Sequence, residues 1–315
     1  MPFAAIDIGS NTFRLLIAEP APADSLTPWK TVHYTHLIVR LGEGLHHYGR
    51  LSEDGMARAI QAFDEFADLL AMYQVPANRT LALATAAMRE SENGMAFRNR
   101  VAEETGICIH IIEGEKEAAM SLAGACAVLP ESTQADMLLF DIGGGSTEFI
   151  RARHAVSRDA ISRKLGVVRL IEAHLHSDPP SAADYQTMKD AAQDHLHEVA
   201  EGWQDQLPPR HLVGTAGTVT TLAATELDLY PYNTDIINNH VMQKASFLAL
   251  RDRLLSMTHA ERQAIRTIEQ GRGDLIIGGL AIVEAVMDFW EYDEMVVVDA
   301  GLLEGAWLDI SQSAK

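Results

Sequence analysis

The sequence predicts an α/β fold in which one domain plan is used twice. Three observations predict it. Short apolar runs with strand character alternate with stretches of helical periodicity through both halves of the chain. One strand–turn–strand device, Asp-Ile-Gly followed by small polar residues, occurs at Asp7 and again at Asp141, 134 residues further on. That spacing is about one domain length, so it reads as duplication of a domain and not as a solenoid repeat. The chain is 315 residues long, enough for about two domains with a full core each.

The elements follow in order. Phe3 to Asp7 is a strand, Gly9-Ser10-Asn11 a turn, and Phe13 to Ala18 the returning strand. Pro20, Pro22 and Pro28 mark a loop, and a strand over Thr35 to Leu41 runs into Gly42-Glu43-Gly44. Ile60, Phe63, Phe66, Ala67 and Leu70 share one face of a helix from about Ser52, a plausible N-cap, to Tyr73. Leu81–Ala86 and Ile107–Ile112 read as buried strands, separated by a helix that Asn93 could cap and Gly106 ends. Gly114 opens a helix toward Val128, after which Pro130 to Thr133 is a connection.

The pattern then restarts. Met137–Asp141 and Thr147–Arg151 are strands around Gly143-Gly144-Gly145-Ser146, and Ala160–Lys164 is a third. A helix covers Ala182–Trp203, and a strand at His211–Val213 leads through Gly214-Thr215-Ala216-Gly217-Thr218 into a helix at Val219–Ala224. The remainder reads as mainly helical up to a β-branched strand, Met295–Val298, and a last helix over Gly301–Ile310.

Forty-four acidic against 25 basic side chains give a formal charge of −19. Such a chain repels nucleic acid and anionic lipid, so neither is an expected partner, and a polyanionic substrate must be met by a local exception. Cys108 and Cys126 are too few for a disulfide scaffold and fit a reducing compartment. No secretory leader and no spanning apolar run is visible, so the expected location is the cytoplasm.

The two Asp-Ile-Gly turns supply that exception. Each ends a strand on a carboxylate and continues in small residues whose amides can approach an anion, with Ser or Thr hydroxyls beside them. Taken with the third glycine turn at a helix N-terminus, they point to phosphate binding. If the two halves pack across a cleft, Asp7 and Asp141 could hold a hard cation such as Mg²⁺. The third turn lacks the Gly-Lys-Ser/Thr ending of a P-loop. Glu113, Glu115 and Glu117 crowd a strand-to-helix junction; each could simply complement a helix dipole, and one could orient an attacking water. Arg89 follows a buried strand and could neutralise transition-state charge, or form a surface ion pair. Glu148 could bind metal or water, or face a neighbouring strand. Arg151, Arg153, Arg158, Arg163, Lys164 and Arg169 form a basic stretch that is either a solvated face or a track for further phosphates. The 13 histidines include no pair at a convincing metal-ligand spacing.

Asp7-Ile8-Gly9-Ser10-Asn11-Thr12, with Arg14-Leu15, and Asp141 to Glu148 resemble the two phosphate motifs of the exopolyphosphatase/guanosine pentaphosphate phosphohydrolase (Ppx/GppA) phosphatase family. The resemblance continues through Arg40 to Leu45, Ala84 to Arg89, Gly114, Glu117-Ala118, Leu165 to Arg169, Gly214 to Thr218, Gly271 to Asp274, and Asp299 with Gly301. It implies a short-form member with two RNase H-like domains, of the actin, sugar-kinase and heat-shock ATPase type, flanking a cleft. The domains are expected at about 1–125, with a final helix of about 301–315 returning to the first, and at about 126–300. The implied reaction removes the terminal phosphate of inorganic polyphosphate or of pppGpp with Mg²⁺ or another divalent cation. By motif position, Glu117 is the implied catalytic glutamate, Arg89 the phosphate-binding arginine, and Asp7, Asp141 and Glu148 the metal- and water-positioning acids. Ser10, Asn11, Thr12, Gly143, Gly144, Gly145, Ser146 and Thr147 would cradle phosphate, with Gly214, Thr215, Gly217 and Thr218 of the third turn.

Three features depart from the family pattern: Lys116 stands where many relatives carry a second Glu, Leu303 where Arg is common, and the chain stops at Lys315 without the helical extension of long members. Two other classes stay open: a kinase of the same superfamily and a non-catalytic polyphosphate or nucleotide sensor. A homodimer is left open as the assembly.

Overall fold

The computed structural model describes residues 1–22, 24–203 and 207–313. The chain divides into two compact units, Met1–Val128 together with the segment from Ala300 onward, and Leu129–Asp299. Residues 314–315 of the expected final helix lie outside the described residues.

In the first unit β1 (Phe3–Ile8), β2 (Thr12–Pro20) and β3 (Trp29–Ile38) form an antiparallel meander. Two strands parallel to β1 extend it, β4 (Thr80–Ala84) and β5 (Ile109–Ile111), in the order β3-β2-β1-β4-β5. Strand alternation decides which helices cover which face. Ile6, Ile8, Phe13 and Leu15 point to one side, where they meet Met56, Phe63 and Phe66 of the helix Glu53–Met72, and Phe97 and Val101 of the helix Gly94–Thr105. Phe3, Ala5, Leu16 and Ala18 point to the other, onto Met120 of the helix Gly114–Cys126 and Leu303 and Trp307 of the helix Leu302–Ser313. Leu303, where the family pattern has Arg, is fully buried there.

The second unit repeats the plan. Its sheet contains β6 (Met137–Ile142), β7 (Thr147–Arg153), β8 (Val156–Arg163), β9 (His211–Thr215), β10 (His240–Gln243) and β11 (Glu294–Val297), ordered β10-β11-β9-β6-β7-β8. Read from β8 to β11, the order and strand directions match those from β3 to β5, and β10 is an added antiparallel edge. Both units are RNase H-like. The helix Leu275–Phe289 is apolar nearly all round and lies in the middle of this unit's core. Its one buried carboxylate, Glu284, accepts hydrogen bonds from Tyr185 Oη at 2.6 Å, Lys189 Nζ at 2.7 Å and Arg251 Nη1 at 2.7 Å.

The structure departs from the sequence reading at identifiable places. β3 begins at Trp29, not Thr35, because Lys30, Thr31 and His33 pair along β2 on a half-exposed edge where no apolar alternation is required. β10 and the helix Val167–His174 were not expected; the first is a four-residue edge strand. Ser52 caps its helix through Gly55 N, and Gly106 closes the helix Gly94–Thr105 at φ +75°. Asn93 occupies the N-cap position, its carbonyl accepting from Phe97 N, but its side-chain amide bonds the N–H and the C=O of Leu51 in place of a capping bond.

Candidate active site

In the first unit the carboxyl ends of β1, β4 and β5 lie side by side, where open α/β sheets receive ligands. Asp7 is on the face of β1 that carries Phe3 and Ala5, and so faces the side covered by the helix Gly114–Cys126. Its register partner on β2 is Arg14. Arg14 Nε and Nη2 both donate to Asp7 Oδ2, at 2.9 and 2.5 Å.

The turn after Asp7 is fixed by Gly9 N donating to Thr12 O at 3.2 Å, and then from outside by the segment that follows β3. Val39 and Arg40 N–H bond Asn11 O, and Gly42 N bonds Ser10 O at 2.7 Å. A Cβ at Gly42 would sit 2.9 Å from Ser10 Cβ, so only glycine lets the strap lie this close. Ser10 and Asn11 are thereby buried. Asn11 Nδ2 donates to Thr12 Oγ1, while Asn11 Oδ1 is buried without a hydrogen-bond partner among the described residues. Turning that amide over gives Oδ1 the Thr12 hydroxyl and aims a donor into the turn, the arrangement an anion would complete.

Arg89 and Glu117 meet at the end of β4. Thr85 N bonds Ile8 O, and one helical turn later Arg89 Nη1 donates to Ile112 O at 2.8 Å and to Glu117 Oε2 at 3.0 Å. The structure separates the acidic trio: Glu113 and Glu115 are exposed, whereas Glu117 is 6% exposed. Lys116 turns outward and reaches Asp309 at 3.9 Å.

In the second unit Asp141, next to last in β6, lies beside Thr215 of β9 and opposite Glu148 of β7. Directly opposed residues of an antiparallel pair share a face, so the two carboxylates project together. Glu148 Oε1 accepts from Ser162 Oγ at 2.7 Å. Gly143 N donates to Ser146 O at 2.9 Å, and the segment after β8 braces the turn from outside. Val167 N bonds Gly143 O, Val168 N bonds Gly144 O at 2.9 Å, and Thr147 Oγ1 donates to Leu165 O. A Cβ at Gly166 would collide with Gly144 O. Thr215, Gly217 and Thr218 surround the start of the helix Ala216–Glu226, where Ala216 has φ +73° and Arg272 packs against Gly217.

The basic stretch is not one track. Arg151 is buried with its guanidinium over the Trp203 ring and donates to Leu207 O. Arg153 pairs with Asp136 and Arg163 with Glu198. Arg169 stays at the turn, its Nε 3.4 Å from Gly145 O.

The chemistry of these parts is that of a phosphoanhydride hydrolase: amide-lined turns, an arginine-held carboxylate, and a carboxylate pair of hard oxygen donors. Such a pair suits Mg²⁺, which binds one or two carboxylates and completes its shell with water and substrate phosphate. Among the described residues no group of three His, Cys, Asp or Glu side chains forms a ready-made cage. The family model described as the Ppx/GppA phosphatase family matches residues 21–314. The chain belongs to that family.

Its likeness to Ppx/GppA proteins runs the length of the chain. It is 33% identical to Exopolyphosphatase 2 of Mycobacterium tuberculosis, over 98% of each protein. It is 28% identical to the guanosine-5'-triphosphate,3'-diphosphate pyrophosphatase of Vibrio vulnificus, covering 96% of this chain and 58% of that protein. The crystal structure of an exopolyphosphatase from Cytophaga hutchinsonii superposes with a TM-score of 0.88 at 26% identity, over 99% of this chain and 98% of that one.

Sequence reasoning passed over Arg14, although it lies inside the first motif. The signal was available: Arg14 and Glu148 each stand seven residues after their aspartate. It also did not pair Leu41-Gly42 with Leu165-Gly166, the two buried straps that occupy equivalent places in the duplicated units.

Proposed function

We propose that the protein is an exopolyphosphatase, releasing orthophosphate from the end of inorganic polyphosphate by attack of water on the terminal phosphoanhydride. The observation that carries this reading is the Arg89–Glu117 pair, a buried carboxylate held in one orientation at the ends of β4 and β5. Glu117 would orient the water and take its proton. In the first unit Arg89 and the donors of Ser10, Asn11 and Thr12 would hold phosphoryl oxygens as charge spreads over them, and in the second the turn of Gly143, Gly144, Gly145, Ser146 and Thr147 would likewise bind phosphate oxygens. The turn of Gly214, Thr215, Gly217 and Thr218 would take a further phosphate. Asp141 and Glu148 would hold a divalent cation such as Mg²⁺, which when bound neutralises charge on the phosphates. Asp7, the third acid expected to position metal or water, accepts two hydrogen bonds from Arg14.

Similarity to the Vibrio vulnificus protein supports a second substrate, pppGpp, which presents the same terminal anhydride. Cys108 and Cys126, which form no disulfide, fit a reducing cytoplasm, and among the described residues no helix is long and apolar enough to cross a membrane. The test is kcat/KM measured side by side for long polyphosphate, short polyphosphate, pppGpp and ATP with Mg²⁺. The reading expects nucleotide-independent release of phosphate from polyphosphate. Turnover confined to pppGpp would reassign the substrate, ADP formation with an acceptor would make the protein a kinase, and binding without turnover would make it a sensor.

A further inference from the structure

The two hairpins agree in almost every respect. Each has an aspartate at the same strand position, a glycine N–H bonded to a carbonyl three residues on, and a Leu-Gly strap outside the turn. They differ at the residue across the strand pair: Arg14 opposite Asp7, Glu148 opposite Asp141. We infer that this one exchange divides the labour between them, and that Arg14 is a positioning residue which makes the first turn accept a phosphoryl group directly while the second meets phosphate through its cation. The inference rests on the phosphohydrolase reading and deepens it.

The electrostatics follow from the contacts. A carboxylate at the floor of a phosphate turn repels the ligand unless its charge is balanced. Arg14 balances the charge of Asp7 with two hydrogen bonds to a single oxygen. With that charge balanced, the amides of the Ser10–Asn11 turn and the Asn11 side chain face a phosphate without opposition, and Asp7 serves as the brace that holds Arg14 in place. In the second hairpin Glu148 adds a charge where Arg14 would remove one. That turn therefore gains affinity for a cation. The Arg14 side chain is about a quarter exposed and that of Asp7 6% exposed, so the pair is screened from bulk solvent yet within reach of a ligand in the turn.

The experiment uses the intact protein and two probes, orthophosphate in EDTA and Mn²⁺ followed by electron paramagnetic resonance. Arg14→Gln is expected to weaken orthophosphate binding in EDTA about tenfold, as expected for loss of a charge-assisted interaction, with Mn²⁺ affinity unchanged. Arg14→Lys restores most of that loss. Arg14→Glu recreates the pair of the second hairpin and binds one more Mn²⁺ per chain than the wild type. Orthophosphate binding by Arg14→Gln as tight as the wild type's overturns the inference. So does a loss that Arg14→Lys does not restore, or an Arg14→Glu protein with no added Mn²⁺. These arms read binding without turnover, so they stand apart from failure of the hydrolase reading, which would appear as a wild-type protein that binds both probes and releases no phosphate.

Discussion

A single nitrogen of Arg89 serves two acceptors: Nη1 donates to the carbonyl of Ile112 and to Glu117 Oε2. The carbonyl belongs to the residue just after β5, and Glu117 lies on the first turn of the next helix, so the arginine clamps the strand-to-helix junction that carries the acid. Glu117→Gln is expected to lower kcat by about 10²–10⁴-fold, the usual range for loss of a general base, with the thermal midpoint nearly unchanged. Arg89→Gln should lower kcat as well. The double variant should lose much less than the sum of the two in log units, because the residues act as one device. Additive losses in that cycle would show that Arg89 does not work through Glu117.

Asp141→Asn and Glu148→Gln should each raise the concentration of Mg²⁺ needed for half-maximal activity by ~10-fold or more, since each removes one charge from a facing carboxylate pair. A titration of rate against free Mg²⁺ checks this, and Mn²⁺ binding without substrate provides the same comparison. If the midpoint does not move, the cation is held elsewhere.

Gly42→Ala and Gly166→Ala place a methyl group against Ser10 and against the Gly144 carbonyl. Overpacking of this kind costs about 1–3 kcal/mol and forces the turn to shift. The expected result is a lowered thermal midpoint together with a KM for polyphosphate raised in both variants. Gly106→Ala is the control: it meets nothing within 4 Å, although its φ of +75° makes it a stability variant in its own right. It should lower the melting temperature and leave KM alone.

Most of the first hairpin was legible because its chemistry is local: Asp7, Gly9 and Ser10 are neighbours in sequence and in space. The helix Glu53–Met72 was legible for the same reason, through Ser52 and a regular apolar face. The Arg89–Glu117 contact could be suspected only by family resemblance, since 28 residues separate the partners and no periodicity links them. Arg151 shows the opposite failure. Its charge suggested a solvated or substrate-facing side chain, but Trp203 and the Leu207 carbonyl bury it. Contacts of that kind depend on what the far end of the chain brings alongside, which residue type alone does not encode.

Glu284 makes a prediction about acid stability. Burial pushes its carboxyl up, but hydrogen bonds from Arg251, Lys189 and Tyr185 prevail and hold it below the usual carboxylate value. A carboxyl depressed in the folded state contributes stability above its unfolded value, about 4.3, and that contribution is lost as pH falls from there through the folded value. Urea midpoints of the wild type should therefore fall with acid below about pH 4.3. Glu284→Ala, which leaves Lys189 and Arg251 without this buried partner, should cost about 3–5 kcal/mol at neutral pH. It should also show a shallower acid slope, and an unchanged slope would assign acid unfolding to other carboxylates.

Trp307 donates its indole N–H to the carbonyl of Ala18, 289 residues earlier, and its ring packs edge-on against Phe3. During translation the ribosome makes Phe3, Ala5 and Leu16 early and the second of their two covering helices only after residue 300. The first unit must therefore wait, one face of its sheet covered only by the helix Gly114–Cys126, while the whole of the second unit is synthesised. Nascent chains stalled short of the helix Leu302–Ser313 should be bound by chaperones and cut by proteases within Met1–Val128 even when the unit made later has already closed.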